Sequence, residues 1–433
     1  MKSLSVFQIV LLSVFGALAI SGMLIFALVV GSNTGNSIGP ITIWGTLEQS
    51  AFAVVLRQAS EDDKRLSQVT YVEKDAATYE EELTEALASG EGPDLFLLRQ
   101  DFVVRNRGKV IPVPSTFLSE AKFKDTFVEA ANPYLAEAGV LGIPLFVDPM
   151  ILYWNRDLLA ASGFPKPPRY WEEVPEFAQK VTKRDDAGGI VHSAIAFGEF
   201  ANVDFAKDII TLLIQQAGGT ITSFDSTGRL VPSLTLRRAG EPSQATESAL
   251  RFYTEFADPS KIHYSWNRSL SSSRAEFAAG DLALYLGYGR EATLLARMNP
   301  NLNYAGAAVP QSKVASRSTN AARVYALAIS RTSQNPQGAM TVAAVMADAP
   351  IARALSVATG IPSARRDVLA EKLEGENELF EGQALIARSW VDPDPQKTDA
   401  IFRGMIEGVT TGSSRLQEAI GRANQELAQA IGQ

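Results

Sequence analysis

Polar side chains cluster in this sequence where short apolar runs end. Thr46, Glu48 and Gln49 follow the alternating run 41–44, and Arg99 and Asp101 follow the run 95–98. Asp148 lies between the apolar stretches 142–145 and 150–154, Tyr288 and Arg290 follow the stretch 282–286, and Arg323 precedes the stretch 325–329. Trp266, in the polar loop YSWNR (264–268), and Trp390, ahead of VDPDP (391–395), lie outside any apolar period. Carboxylates, amides and guanidinium groups form charge-assisted hydrogen bonds to a polar solute, and an indole offers it a flat apolar face. Two carboxylates such as Glu48 and Asp148 also suit general acid–base work across a glycosidic bond if they stand about 5–9.5 Å apart. No Ser-His-Asp order, HExxH, GxSxG or phosphate-binding glycine loop accompanies them. There is no Cys, and His192 and His263 are the two histidines. Thiol catalysis, a Cys/His metal site and a cofactor are therefore not expected. The residues point to binding, with an enzyme as the weaker alternative.

The elements that must position these groups read as α/β. Residues 41–44, 69–72 and 95–98 are strands, and 51–61 and 78–88 are helices between them. Thr78 and Glu81 have capping-box spacing for the second helix. Strand, helix, strand, helix, strand in this order predicts a parallel sheet. Its strand C-termini, and with them residues 44–48 and 98–101, share the edge where open α/β sheets bind ligands. Further on, 205–216 and 247–257 are helical, 282–286 and 325–329 are strands, and Ser272 or Ser273 can cap a helix over 274–279. Residues 413–431 form an amphipathic C-terminal helix.

Residues 6–30 carry no charge and are mostly apolar. As a helix they extend roughly 37 Å, enough to cross a hydrocarbon core of about 30 Å. The run exceeds an ordinary signal-peptide core, so one N-terminal transmembrane helix is expected, with a cleaved signal as the alternative; Lys2 then lies on the cytoplasmic side and the body outside. Residues 31–40, rich in Gly, Ser and Asn, read as a flexible tether. Without Cys there is no lipid-carrying residue of the lipoprotein kind. The net charge of −8 and the absence of a basic run disfavour nucleic acid.

A set of punctuation patterns recurs in one order: GPDLFLL at 92–98, GIP at 142–144, LYWNRDLL at 152–159 and PPRYWEE at 167–173. FAAGDLAL at 277–284, YAGAAVP at 304–310, YALAIS at 325–330 and GIPSAR at 360–365 follow. This ordering, over residues 41–433, resembles the extracellular solute-binding proteins of ABC importers, the sugar-binding family that includes maltose-binding protein. The resemblance implies a two-lobe periplasmic-binding-protein fold with a hinge and an interlobe cleft. Lobe one would comprise about 41–148 plus 301–349, and lobe two about 149–300 plus 350–433. The chain would cross between lobes near 146–151, 301–310 and 350–360. The implied protein is a monomer tethered to the membrane on its outer face. It binds a solute, closes, and delivers the solute to a permease; service to a sensor system is the alternative.

The implied cleft residues are Thr46, Glu48, Gln49, Arg99, Asp101, Asp148, Trp266, Tyr288, Arg290, Arg323 and Trp390, with Asp148 alternatively a hinge cap on backbone amides. The sequence also departs from the family. Trp154-Asn155 replaces the usual Tyr-Asn, Tyr288-Gly289-Arg290 stands where a sugar-stacking Trp is common, and Leu98-Arg99-Gln100 replaces an aromatic of maltose binders. These changes argue against a long glucan and leave a smaller sugar, or one carrying an anionic group, as the expected ligand.

Overall fold

The structure, a computed structural model, describes residues 38–236, 245–371 and 376–432. The expected membrane helix at 6–30 and most of the tether lie outside the described residues. Among these no single helix is long and apolar enough to cross a bilayer.

The first third forms β1 (Ile41–Gly45), α1 (Gln49–Asp62), β2 (Val69–Glu73), α2 (Tyr79–Ser89) and β3 (Leu95–Arg99). β1 pairs in parallel with both β2 and β3, so their C-terminal ends share one edge. The capping box expected at α2 does not form. The Thr78 hydroxyl donates to Glu82, one turn into the helix, and leaves the backbone uncapped. The later elements are β4 (Ile143–Asn155), β5 (Ile190–Ile195), α3 (Ala206–Gln216), α4 (Ser273–Ala279) and β6 (Leu282–Tyr288). They are followed by α5 (Glu291–Met298), β7 (Tyr304–Ala307), β8 (Asn320–Ser330), α6 (Ala349–Thr359) and α7 (Pro395–Thr410).

Among the described residues, eleven strands join into one curled sheet in the order β2-β1-β3-β8-β4-β6-β5 and then Lys183–Arg184. β7, Val110–Ile111 and Ala387–Arg388 attach to its side. β4 explains the continuity. Its residues from Ile143 to Pro149 pair antiparallel with β8, and those from Met150 to Asn155 pair with β6 and β7. Twelve of its thirteen residues are buried, as a strand covered on both faces requires. Ser272 accepts from the Ala275 amide and caps α4.

Two hydrophobic cores hang on this sheet, one per lobe. The first gathers side chains between Ile41 and Val147, between Ala322 and Ala347, and between Leu355 and Ala387. The second gathers those between Met150 and Val309 and between Ile401 and Leu427, together with Ala321 and Phe380. The chain passes between the two cores within β4, then at the start of β8 between Ala321 and Ala322, then between Ala387 and Ile401. The second and third passages fall later than the segments 301–310 and 350–360 named above. β7 still pairs with the second-lobe half of β4, and α6 packs on α1, burying Leu355 in the first core.

One glycine behind β5 has no room for a side chain. Gly198 has φ +96°, and a Cβ there would lie 2.5 Å from the Ala257 Cβ and 2.8 Å from its backbone N. Gly198→Ala is expected to destabilise the protein by about 1–3 kcal/mol through overpacking and an unfavourable φ. Chemical denaturation of the full chain measures it.

Candidate ligand site between the lobes

β3 ends in buried Leu95, Phe96, Leu97 and Leu98, and the first polar side chain after them, Arg99, turns into the cleft. Its Nε and Nη2 donate to the two Asp101 oxygens at 2.6 and 2.7 Å, a bidentate fork. Burial pushes the Asp101 carboxyl up, but the adjacent Arg99 charge outweighs it and holds the group below its ordinary value. Across the cavity, Arg323 rises from β8, where it stands in register with Asp148 of β4. Its Nη2 donates to Asp208 Oδ2 at 3.1 Å. Its guanidinium carbon lies 4.3 Å from the Tyr288 ring centroid and 5.0 Å from that of Phe205. Burial opposes the Arg323 charge, yet Tyr288 and Asp208 raise its pKa above the ordinary arginine value.

The second lobe supplies the facing wall from the first turns of two helices. On α3, Lys207 Nζ donates to Asp392 Oδ2 at 3.3 Å and to Thr398 Oγ1 at 3.2 Å. Burial pushes the Asp392 carboxyl up to about 7, with the Lys207 charge opposing. On α7, Gln396 and Asp399 point into the same space, and their side chains make no hydrogen bond among the described residues. Arg99, Asp101, Phe205, Lys207, Asp208, Arg323, Gln396 and Asp399 together line a cavity of about 470 Å³. Each cation lining it is matched: Arg99 by Asp101, Lys207 by Asp392 and Arg323 by Asp208. Among the described residues that line the cavity, Asp399 is then the charge without an ion pair.

The other residues singled out from sequence sit elsewhere. Glu48 is exposed and pairs with Arg297 of α5 at 3.4 Å, an ion pair across the two lobes. Gln49 is exposed and offers its backbone N–H to Glu73, and Thr46 is half-buried. Asp148 is 2% exposed. It accepts the Arg290 backbone N–H at 3.3 Å, the hinge-cap arrangement. Burial pushes its carboxyl up to about 7, with Arg290 and Arg323 opposing. The Arg290 side chain is exposed at the start of α5. Tyr288 is buried behind Arg323, and burial raises its hydroxyl pKa well above the ordinary value.

Two tryptophans expected to stack on ligand do not reach this cavity. Trp266 is wholly buried in the second core. Its loop folds back so that the Ser265 and Trp266 amides donate to the Phe256 carbonyl, while the indole N–H donates to Asn202 at 3.1 Å. Trp390 packs on Phe402 and lines a separate cavity of about 490 Å³ beside Glu129, Arg317 and Arg388. Phe205, Lys207, Asp208, Gln396 and Asp399 were not anticipated. For Phe205, Lys207 and Asp208 the one sequence signal is their place at the start of the helix expected over 205–216; Gln396 and Asp399 lie on α7, a helix not among those expected from the sequence.

The family model for bacterial extracellular solute-binding proteins matches residues 67–352. The chain belongs to this family. Among solved solute-binding proteins, an ABC transporter solute-binding protein of Thermotoga lettingae bound to α-D-tagatose is 19% identical. It superposes with TM-score 0.68 over 91% of this chain and 100% of its own. The cyclic α-maltosyl-1,6-maltose binding protein of Arthrobacter globiformis is 14% identical, with TM-score 0.75 over 91% and 99%. A maltotriose-binding protein of Thermus thermophilus is 17% identical, with TM-score 0.65 over 90% and 100%. At these identities the likeness is one of fold: the mixed α/β, two-lobe architecture of binding proteins. A protein of Brucella abortus (strain 2308), provisionally described as a binding protein, is 24% identical over 102 residues, 23% of this chain and 25% of its own. The chain thus spans about a quarter of the length of the curated relatives it matches.

Proposed function

We propose that this solute-binding protein is an extracytoplasmic receptor. It binds a small neutral sugar or polyol in the cleft, without turnover, and delivers it to the permease of an ABC importer. The observation that carries this reading is the cavity walled by both lobes. Its volume of about 470 Å³ lies within the roughly 300–1,000 Å³ usual for small-molecule sites. The paired Arg99–Asp101 and Arg323–Asp208 groups supply donors and acceptors in fixed directions, and Asp399 and Gln396 remain free to meet hydroxyls. A ligand touching both walls favours the closed arrangement over the open one by its differential contacts, which is how binding becomes a signal to a permease. In this proposal residues 6–30 anchor the receptor as a single-pass membrane helix, with residues 31–40 as tether and the monomeric body outside.

The test is thermal-shift and calorimetric titration of the full chain in detergent. The titrants are D-tagatose, maltotriose, mannobiose, simple polyols and phosphate esters. A neutral hydroxylated solute should raise the melting temperature by mass action, and Asp399→Asn should weaken its binding roughly tenfold by replacing a charged acceptor with a neutral one. Binding of phosphate esters alone, or chemical conversion of a bound sugar, would overturn the reading.

A further inference from the structure

Phe205 is the one non-glycine residue with positive φ among the described residues, at φ 62° and ψ 25°. Where α2, α4 and α6 end in the same left-handed region, the residue is Gly90, Gly280 or Gly360. A bulky side chain is disfavoured there because its Cβ crowds the backbone, so a phenylalanine marks a constraint. The need for a turn is evident. The Asp204 backbone N–H donates to Ser273 Oγ at 2.8 Å, and its carboxylate accepts from the Arg274 amide at 2.8 Å, pinning it to the start of α4. With α3 beginning at Ala206, a single residue must reverse the chain. Glycine would satisfy that need, so the turn alone does not explain the ring.

The contacts of the ring do. It meets Tyr288 edge-on, with centroids 5.1 Å apart and planes at 80°. The Arg323 guanidinium carbon lies 5.0 Å from its centroid and that of Arg274 5.6 Å. Arg274 is itself fixed by Glu291 at 2.6 Å and Asp204 at 3.2 Å, so it buttresses the ring. Arg323 donates one hydrogen bond, to Asp208, and its other N–H groups make none among the described residues. We propose that Phe205 is a positioning residue of the ligand site: with Tyr288 it clamps the Arg323 guanidinium so that the free N–H groups face the cavity. The inference rests on the cleft reading above and extends it, because affinity then depends on a strained residue that need not touch the ligand.

The test uses the full chain in detergent with ¹⁵N-labelled arginine, the Arg323 Nε–H resonance being assigned by its loss in Arg323→Lys. In the wild type that resonance should lie upfield of exposed arginines, from the two ring currents, and exchange slowly. Phe205→Gly, whose new residue suits the left-handed backbone, should move it downfield and speed exchange roughly tenfold, whereas Phe205→Tyr should restore it. An unmoved resonance in Phe205→Gly overturns the proposal. Calorimetry with D-tagatose, maltotriose and mannobiose supplies the second arm. For whichever sugar the wild type binds, Phe205→Gly should weaken affinity roughly tenfold, and this loss should vanish in an Arg323→Lys background. Equal losses in both backgrounds also overturn it. If the wild type binds phosphate esters alone while the resonance responds as stated, the clamp stands and the reading of a neutral sugar or polyol falls.

Discussion

Trp266→Ala is expected to destabilise the protein by about 3–5 kcal/mol, the range for emptying a fully buried aromatic site. The ring is at 0% exposure among the largest side chains of the second core, and its loss leaves a cavity the surrounding strands and helices cannot fill. The indole also satisfies Asn202 Oδ1, whose amide group in turn holds the carbonyls of Asn267 and Leu270. An unpaired polar atom therefore adds to the cavity cost. Trp266→Phe should recover part of the loss by refilling volume without restoring the hydrogen bond. Denaturant titration of the full chain reads both. Reduced sugar affinity with unchanged stability would return the ring to the cleft and refute its assignment to the core.

Asp148→Asn is expected to make the protein more stable at alkaline pH, by about 2–4 kcal/mol at pH 8, with little change near pH 4. In the unfolded chain an aspartate ionises near pH 3.9; in the fold, burial pushes Asp148 to about 7. Between these values the folded state keeps a proton that the unfolded state has released. The contribution of Asp148 to stability therefore falls as pH rises through that window and levels off above it. Asparagine removes the titration but can still accept the Arg290 amide. Asp392, raised to about 7 beside Lys207, keeps its own slope in the variant, so the difference between the two pH profiles isolates Asp148. A variant less stable than wild type at pH 8 would show that Arg290 and Arg323 need the anion more than burial penalises it.

Much of this arrangement is legible in the sequence because local rules and global fold agree. The alternation in 41–44 and the apolar run 95–98 place Arg99 and Asp101 on the sheet edge, and Arg323 and Tyr288 likewise flank readable strands. What local pattern does not encode is which distant turns meet there. Asp208 and Arg323 are 115 residues apart, and Gln396 and Asp399 come from a helix reached only at the third passage. The left-handed Phe205 is invisible for a different reason: residue type argues against that conformation, and only the clamp it serves explains it. Trp266 misleads because a polar loop usually lies on the surface. This one is tied back by hydrogen bonds to Phe256 and carries its largest side chain inward.

The sheet shared by the lobes has a consequence for how the chain comes to be folded. β3 borders β8 with Leu95 opposite Ile329, and β8 in turn borders β4. The strand at the centre of the first lobe is thus supplied only after the second lobe's strands have been made. Non-local pairing of this span slows folding, and an amino-terminal portion released from the ribosome lacks the neighbour that would close its sheet. Until about residue 330 has been synthesised, the edge of β3 that β8 covers has no partner, so the sheet of the first lobe can be completed only once most of the chain has been made.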